Sequence, residues 1–431
     1  MSKINRRSFI RMATGATLAG GALSFPGLLL AASPKVVVVG GGVGGCTTAK
    51  YLRKLDPRIE VTLIEPKMAY TSCFLSNEVL SGDRTLASIT FDYEGLKRHG
   101  VKMVADRVSA IDPAQKQVVT EGGDKFGYDA CVVSPGVDFK WEVIEGYDAA
   151  VAEEVPHAWF AGPQTSLLRR QIESMPEGGT VAIVAPPNPF KCPPGPYERA
   201  AQIAMYCKHY KPKAKILILD PKDRFSKQGL FKQGWSQLYG YGTDNSMIEW
   251  VGAAGGGRIE SFDPASRTLA GEVEDFQADV INIIPAQKAG KVAFASDLVE
   301  GDWCPVNKMT FESTRHPHIY VLGDASSAAK MPKSAYAANS QAKVAAAAIA
   351  ARFNGEDPGD PTFVNTCYSI LGEEHGISVA AVYSLDKESN TIVPIKGSGG
   401  LSPMNASPEQ RKREVSYAHS WFRNVIYDMM G

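Results

Sequence analysis

Runs of apolar, β-branched residues that end in glycine-rich turns predict an α/β nucleotide-binding domain. Four consecutive valines starting at Val36 predict a strand that is buried on both faces. Glycines follow immediately, and Gly40, Gly42 and Gly45 stand at GxGxxG spacing. A helix is predicted to begin at about Val43, so its free N–H groups and positive dipole end face an anion. The pattern indicates a dinucleotide-binding turn, in which the glycines serve the turn, the approach of a pyrophosphate and helix packing.

The strands that follow extend the same domain. A strand predicted over 59–64 ends at Glu65, about 20 residues beyond the glycine turn, where a carboxylate accepts hydrogen bonds from a ribose. Further along, a strand at 101–104, a hairpin around Asp112 and a strand ending at Gly136 are predicted. A strand like the one that ends at Gly136 is common where a chain leaves a flavin domain.

A second βαβ unit is predicted, but it lacks a glycine fingerprint. Its strands are expected at 180–184 and 215–220, and the helix between them begins near Pro196. The turn after its first strand, 185–189, reads APPNP. Because prolines have no N–H to donate, this turn is predicted not to hold a pyrophosphate, which disfavours a nicotinamide nucleotide.

A third pattern returns the chain to the first domain. A strand ends at Gly323 and Asp324, and an alanine-rich helix follows from Ser334. An aspartate in this position typically binds the ribityl chain of FAD, with the helix N-terminus facing the flavin ring. A polar linker precedes the C-terminal unit, in which strands and a terminal helix near Trp421–Met430 are expected. The apolar residues of that helix are expected to pack inward: Trp421, Phe422, Ile426 and Tyr427.

We therefore expect an α/β fold with two Rossmann-like domains and a small C-terminal α+β domain. The FAD-binding domain is predicted at 33–155 and 289–358, the second Rossmann-like domain at 156–288, and a C-terminal interface domain at 359–431.

Residues 1–32 have the pattern of a twin-arginine export signal. Arg6 and Arg7 precede a Gly/Ala-rich apolar run that ends in small residues near Ala32. A membrane anchor is the less favoured alternative, because glycines and Pro26 interrupt the run. We expect a periplasmic protein whose mature chain has no integral membrane segment.

Composition narrows the possible functions. The 46 basic and 46 acidic residues give zero formal net charge without a basic cluster, so no nucleic-acid partner is expected. The 7 histidines do not cluster, so no metal site is predicted. The 7 cysteines form no CxxC and no CxxCH, which excludes a thioredoxin-type motif and a covalent haem.

Two cysteines and one glutamate are candidates for chemistry. Cys192 precedes the helix that begins near Pro196, and a helix N-terminus stabilises a thiolate. Glu198 in that helix is either an acid/base group or a glutamate placed for the helix dipole. Cys73 follows Glu65 in the chain, and on the residues alone it is best interpreted as an inert buried thiol. Three other cysteines are expected in the core: Cys46, Cys131 and Cys207.

In their order along the chain, these features resemble the two-dinucleotide-binding-domain flavoproteins, which have a glutathione-reductase-like fold. The resemblance covers nearly all of the chain after residue 32. It narrows at Lys191–Glu198, KCPPGPYE. This stretch, the sequence AYTSCF around Cys73 and the expected export resemble the flavoprotein subunits of flavocytochrome c sulfide dehydrogenases.

The resemblance implies an activity and roles for the candidate residues. It implies oxidation of sulfide by an FAD that is bonded to Cys73 through its 8α-methyl carbon. It implies that Cys192 forms a redox disulfide with a C-terminal cysteine, whose place Cys367 matches and for which Cys304 is the rival. Hydrosulfide would open the disulfide, Glu198 would be the acid/base group, and a separate c-type cytochrome subunit would take the electrons.

Two other functions stay open. A sulfide:quinone oxidoreductase shares the fold, the flavin and the disulfide. However, residues 362–431 are rich in polar side chains and show no strongly apolar amphipathic helix pair for a membrane surface. The alternative of another class is a non-catalytic flavin-binding electron-relay or docking protein with structural cysteines.

Overall fold

The valine run and the glycine turn form a strand followed by a helix, as the sequence predicts. The structure, a computed structural model, describes residues 33–431, and the predicted export signal at 1–32 lies outside the described residues. Residues 34–431 form one compact unit. The elements up to residue 139 are β1 (Lys35–Val39), α1 (Val43–Leu55), β2 (Glu60–Ile64), β3 (Ala69–Thr71), α2 (Glu78–Ser81), β4 (Thr90–Asp92), α3 (Glu94–Arg98), β5 (Lys102–Val104), β6 (Val108–Asp112), β7 (Gln117–Thr120), β8 (Lys125–Gly127), β9 (Ala130–Val133) and β10 (Val137–Phe139).

The predicted second βαβ unit is also present, and its first strand has the predicted bounds. From residue 163 to 295 the elements are α4 (Pro163–Ser174), β11 (Thr180–Val184), α5 (Gly195–Tyr210), β12 (Lys215–Leu219), α6 (Gln228–Tyr239), β13 (Ile248–Val251), β14 (Ile259–Asp263), β15 (Thr268–Gly271), β16 (Asp275–Gln277), β17 (Val280–Ile283), β18 (Gln287–Ala289) and α7 (Lys291–Ala295).

The last third of the chain completes the first domain and adds the C-terminal one. Its elements are β19 (Ile319–Val321), α8 (Ala335–Asn354), β20 (Thr362–Gly372), β21 (His375–Asp386), β22 (Thr391–Pro394), β23 (Gly400–Leu401) and α9 (Pro408–Met430).

A five-stranded parallel sheet forms the core of the first domain, in the order β19–β9–β1–β2–β5. Its central strand β1 pairs with β2 on one side and β9 on the other, and its four valines are buried. The carboxyl ends of parallel strands meet at one edge of a sheet. The turns at Gly40, after Val133 and at Gly323 therefore lie at the same edge.

A four-stranded parallel sheet, in the order β13–β12–β11–β17, forms the core of the second domain. Here residues 185–194 separate β11 from α5, in contrast to the short glycine turn between β1 and α1. The antiparallel pair of β10 and β18 links the two domains.

The C-terminal domain is an antiparallel sheet with one long helix. β20 pairs with β21, and β22 and β23 also pair with β21. β20 contacts α5 of the second domain and α8 of the first, so it lies where the three domains meet. Among residues 33–431, no helix is long and apolar enough to cross a membrane.

The C-terminal helix is longer than expected. It begins at Pro408 and not near Trp421, because the Ser407 side chain caps it and Pro408 suits the first turn. The expected packing of Tyr427 is wrong, since 73% of this residue is exposed. The other apolar residues predicted to pack are buried or partly buried: Trp421, Phe422 and Ile426.

Candidate functional site

The glycine turn after β1 has the geometry of a phosphate cradle. Gly40 has φ +101°, and a Cβ at this position would lie 2.5 Å from the carbonyl oxygen of Ser134. A Cβ at Gly45 would lie 1.9 Å from the carbonyl oxygen of Gly40, so only glycine allows the helix to pack this closely. At Gly42 no atom lies within 4 Å of the same position. The first N–H groups of α1 therefore face open space in which a phosphate would fit.

Glu65 is fixed at this turn. Its Oε2 accepts a hydrogen bond from the N–H of Gly41 at 2.8 Å, and its Oε1 accepts one from the N–H of Lys67 at 3.1 Å. The buried Tyr93, which the sequence analysis did not single out, donates its hydroxyl to the carbonyl of Gly41 at 3.0 Å. A carboxylate held beside the phosphate cradle is suited to accept from a ribose.

Asp324 supplies an acceptor without a partner. It lies in the turn after β19, and its Oδ1 is buried and has no hydrogen-bond partner among the described residues. Burial raises the pKa of this carboxyl, and the charges of Lys191 and Lys333 act against the rise. A buried orphan acceptor is costly unless a ligand donates to it. Gly136, with φ +66°, has no atom within 4 Å of where its Cβ would be. An open glycine turn, a ribose acceptor and an orphan carboxylate oxygen are the features that FAD requires.

Cys192 lies on a strained, partly buried loop before α5. Its φ is +56°, and its carbonyl accepts from the N–H of Gly195 at 2.8 Å. Its own N–H donates to the carbonyl of Lys333 at 2.7 Å, which ties the loop to the first domain. Burial raises the pKa of the Cys192 thiol well above its usual range, and Cys367 and Glu198 raise it further. Burial therefore opposes the thiolate that the helix N-terminus is predicted to stabilise, and that stabilisation stays a prediction.

The structure brings Cys192, Cys367 and Cys73 together. Charges on Cys367 and Cys73 raise the pKa of Cys192, and a charge on Cys73 raises the pKa of Cys367. Cys304 lies elsewhere, fully buried in the core of the first domain, with its N–H bonded to the carbonyl of Ala325. Cys367 is thus the neighbour of Cys192, and Cys304 is not. All 7 cysteines are free thiols in the structure, so the disulfide stays a prediction.

Glu198 lies close to these cysteines and is hydrogen-bonded to β20 of the C-terminal domain. Its Oε1 accepts from the N–H of Ile370 at 2.8 Å, and its Oε2 accepts from Asn77 Nδ2 at 3.3 Å. Burial raises the pKa of Glu198 to about 7, although Ile370, Lys227 and Asn77 act to lower it. A carboxyl with this pKa can take up and release a proton near neutral pH. A glutamate placed only for the helix dipole would have a lowered pKa, so the structure favours the acid/base interpretation.

Three family models cover most of the described chain. A pyridine nucleotide-disulphide oxidoreductase model matches residues 34–159, which include the glycine turn and Cys73. The central model of the sulfide dehydrogenase [flavocytochrome c] flavoprotein chain matches residues 165–285, which include Cys192. The flavin-binding model of flavocytochrome c sulphide dehydrogenase matches residues 359–430, which include Cys367. In addition, 45 residues, or 10% of this chain, are 69% identical to the flavoprotein chain of the Chlorobaculum thiosulfatiphilum sulfide dehydrogenase [flavocytochrome c] and cover 94% of that sequence.

The chain belongs to the flavocytochrome c sulfide dehydrogenase flavoprotein family. Its cofactor is therefore a flavin, in agreement with the cradle described above.

Sulfide:quinone oxidoreductases are more distant relatives of this flavoprotein. The mitochondrial enzyme of Dictyostelium discoideum is 22% identical over 321 residues, or 72% of this chain and 69% of the relative. Two solved structures share the fold of this flavoprotein. The sulfide:quinone oxidoreductase of Aquifex aeolicus aligns with a TM-score of 0.66 at 19% identity and covers 92% of each chain. The reductase in a covalent putidaredoxin reductase–putidaredoxin complex aligns with a TM-score of 0.64 at 16% identity, covering 92% of this chain and 99% of the other.

The buried Arg199 and the partly buried Lys333 of the flavoprotein were missed by the sequence analysis. The Arg199 guanidinium donates to Asn282 Oδ1 at 2.8 Å and, through Nε, to Asn77 Oδ1 at 3.2 Å, which orients Asn77 toward Glu198. Lys333 Nζ donates to the carbonyl of Asp324 at 2.7 Å, and burial lowers the pKa of Lys333 to about 8. No local pattern indicated either residue, because their burial depends on segments far apart in the chain.

The remaining candidates are four cysteines and a metal site. Cys46, Cys131 and Cys207 are fully buried, as predicted. Cys73 follows β3, and its Sγ lies 3.9 Å from the Tyr70 hydroxyl. Within residues 33–431 no group of three potential ligands could hold a metal ion.

Proposed function

We propose that this flavoprotein oxidises sulfide through a redox disulfide of Cys192 and Cys367 and passes the electrons through its flavin to a c-type cytochrome subunit. One observation supports this best. Cys192, Cys367 and Glu198 form a single cluster at the junction of the three domains, and the Cys192 loop is bonded to Lys333, which also contacts Asp324 of the flavin cradle.

The cluster contains the groups needed for the first step, in which hydrosulfide opens the disulfide. Hydrosulfide attacks one sulfur of the disulfide, and the S–S bond breaks as a new S–S bond forms. The attacked cysteine becomes a persulfide, and the electron pair of the broken bond leaves the other cysteine as a thiolate. Glu198, whose pKa is about 7, accepts the proton of the persulfide. The bound flavin supplies an acceptor for two electrons that can release them one at a time.

The flavin is proposed to be covalently attached to Cys73. Cys73 lies in the turn between β3 and α2, close enough to the redox pair to influence the pKa of both thiols. The Tyr70 hydroxyl beside its sulfur can hold a thiol or thioether in one orientation. A bond at this position would hold the flavin close to Cys192 and Cys367.

An aromatic cluster beside Cys73 would offer an exit for electrons. The ring of Phe74, next to Cys73, contacts Trp421 with ring centroids 4.7 Å apart. Trp421 also contacts Tyr336 and Tyr368, with centroids 5.5 and 6.0 Å apart. Tyr336, Tyr368 and Trp421 line a surface cavity of about 430 Å³. Aromatic residues at the surface are typical of protein–protein contacts, which supports a protein as the electron acceptor.

A quinone is the competing acceptor, because sulfide:quinone oxidoreductases are among the relatives. The two can be separated with purified protein reduced by sulfide under anaerobic conditions. We expect oxidised cytochrome c to reoxidise the flavin rapidly and a soluble quinone to do so slowly. A haem protein should also copurify from the native source. Rapid reoxidation by the quinone alone would transfer the assignment to the quinone-linked activity.

The central test is bleaching of the flavin absorbance by sulfide. The wild-type protein should bleach, whereas Cys192→Ala and Cys367→Ala should retain their flavin and not bleach. Cys207→Ala, which removes a buried thiol from α5 outside the cluster, is the matched control and should bleach normally. Bleaching of Cys192→Ala at the wild-type rate would leave the electron-relay or docking function as the better explanation.

The export signal predicted at 1–32 leads us to propose a periplasmic location. Replacing Arg6 and Arg7 by lysine should retain the protein in the cytoplasm, as cell fractionation would measure.

A further inference from the structure

Lys227 is a buried lysine at the end of the loop that precedes α6. Only 5% of the residue is exposed, and its φ of +60° places a non-glycine residue in the left-handed region. Its Nζ donates to Ser369 Oγ at 2.8 Å, and it lies 5.7 Å from the ring centroid of Phe231. None of the ion pairs within residues 33–431 includes Lys227. A buried cation without a paired carboxylate and a strained backbone are both costly, and such features concentrate at functional sites.

The hydrogen bond places Lys227 on the reactive face of β20. Ser369 and Cys367 are two residues apart in regular strand, opposite Ile377 and Val379 of β21, so their side chains lie on the same face. The next residue, Ile370, donates its N–H to Glu198. The β20 strand thus holds Lys227 and Glu198 beside the Cys367 sulfur.

The charged and titratable groups around Cys367 come from four segments. They are Lys227 before α6, Glu198 on α5, Cys192 on the preceding loop and Cys73 after β3. Burial raises the pKa of Cys367, and Glu198 and Cys73 add to the rise. Lys227 is the group that opposes it, and it also lowers the pKa of Glu198. Lys227 is therefore the positive charge that favours an anion at Cys367.

We propose that Lys227 is a positioning residue that holds the anionic sulfur at Cys367. This inference rests on the proposed function, in which the anion is the thiolate or persulfide formed when hydrosulfide opens the disulfide. Lys227 faces Glu198, but that carboxyl has a pKa of about 7 and is only partly ionised near neutral pH, so the anion adds to the negative charge that the buried lysine meets. Ser369 fixes the ammonium group beside the sulfur. Lys191 and Arg199 are also cations of the site, but they act on Cys192. Lys227 is the cation that acts on Cys367.

The test measures thiol ionisation in the reduced holoprotein, so it does not depend on sulfide turnover. Iodoacetamide labelling at Cys367 is followed against pH by peptide mass spectrometry. Lys227→Met should raise the midpoint of Cys367 labelling by about 1 pH unit or more. Lys227→Arg should restore a midpoint close to that of the wild type. Lys213→Met, which removes an exposed lysine in the same domain, should leave the midpoint unchanged.

An unchanged midpoint in Lys227→Met that retains the wild-type flavin spectrum would overturn the proposal. If Lys227→Met does not fold, the labelling of the wild-type protein still tests the proposal. Cys367 should ionise at a lower pH than Cys192, and the reverse order would contradict the role of Lys227. Failure of sulfide to bleach the flavin would instead contradict the proposed function and leave the labelling result intact.

Discussion

Glu198 shows how burial and hydrogen bonding set the chemistry of one side chain. The carboxylate accepts two hydrogen bonds, from Ile370 and Asn77, and these stabilise its charged form. Loss of water outweighs them and raises the pKa of Glu198 to about 7. The group is therefore balanced between its two protonation states in the pH range where sulfide is present as both hydrogen sulfide and hydrosulfide.

Replacing Glu198 by glutamine should slow flavin reduction by sulfide and change its pH dependence. As a base, Glu198 is active above its pKa, so the wild-type rate at constant hydrosulfide concentration should fall as pH decreases through about 7. Glu198→Gln should be slower by about 100-fold and lack this step. Stopped-flow absorbance from pH 5.5 to 8.5 measures both, with Glu94→Gln at an exposed first-turn position of α3 as the control. A variant that keeps the wild-type pH profile would remove Glu198 from the mechanism.

Cys73 allows a direct test of the flavin linkage. After acid precipitation, the flavin of the wild-type protein should stay in the pellet, because a thioether is stable to acid. Cys73→Ser should bind flavin but release it into the supernatant. Cys131→Ala, which removes a buried thiol from β9, should retain flavin in the pellet. Release of all flavin by the wild-type protein would contradict the covalent linkage.

The turn between β1 and α1 combines two functions in one element. Gly40 and Gly45 permit the close approach of strand and helix, whereas Gly42 leaves open space above the helix N-terminus. Gly40 and Gly45 thus serve the fold and Gly42 serves the ligand, so substitutions within the same motif should have different effects.

Alanine substitutions at Gly45 and Gly42 should separate these effects. The Cβ of Gly45→Ala would meet the carbonyl of Gly40 at 1.9 Å, so we expect a loss of about 1–3 kcal/mol in stability. Gly42→Ala meets no protein atom within 4 Å, and its stability should change by less than about 0.5 kcal/mol. Its methyl group would occupy the space of the phosphate, so flavin content should fall. Thermal melting and flavin absorbance measure the pair, and full flavin loading of Gly42→Ala would show that the phosphate lies elsewhere.

The elements could be predicted from sequence much better than the charged groups of the site. Runs such as 180–184 become buried strands because β-branched residues suit a pleated sheet covered on both faces. Lys227, Arg199 and Lys333 carry no such signal, since lysine and arginine are normally solvated. Their burial depends on partners that are distant in sequence, such as Ser369 for Lys227. The raised pKa of Cys192 has the same origin, because only the assembled domains create the burial that opposes its thiolate.

At the scale of the whole molecule, three domains meet at the cluster of Cys73, Cys192 and Cys367. The first contributes Cys73 and the Lys333 carbonyl, the second contributes Cys192 and Glu198, and the third contributes Cys367 on β20. The C-terminal domain also supplies Trp421 on α9, which contacts Phe74 beside Cys73. The proposed sulfide chemistry and the proposed electron exit use different residues, the cysteines and Trp421, so they should be separable by mutation.

Trp421→Leu should impair transfer to the cytochrome without affecting reduction by sulfide. Trp421 lies outside the cysteine cluster and lines the surface cavity, so the variant should bleach with sulfide at the wild-type rate. Loss of a large aromatic residue from a partner contact should raise the KM for cytochrome c by about 10-fold or more. Tyr427→Leu is the matched control, because Tyr427 lies on the same helix and is 73% exposed but does not line the cavity. Equal cytochrome kinetics in both variants would place the exit elsewhere, and slow bleaching of Trp421→Leu would show that α9 supports the sulfide site itself.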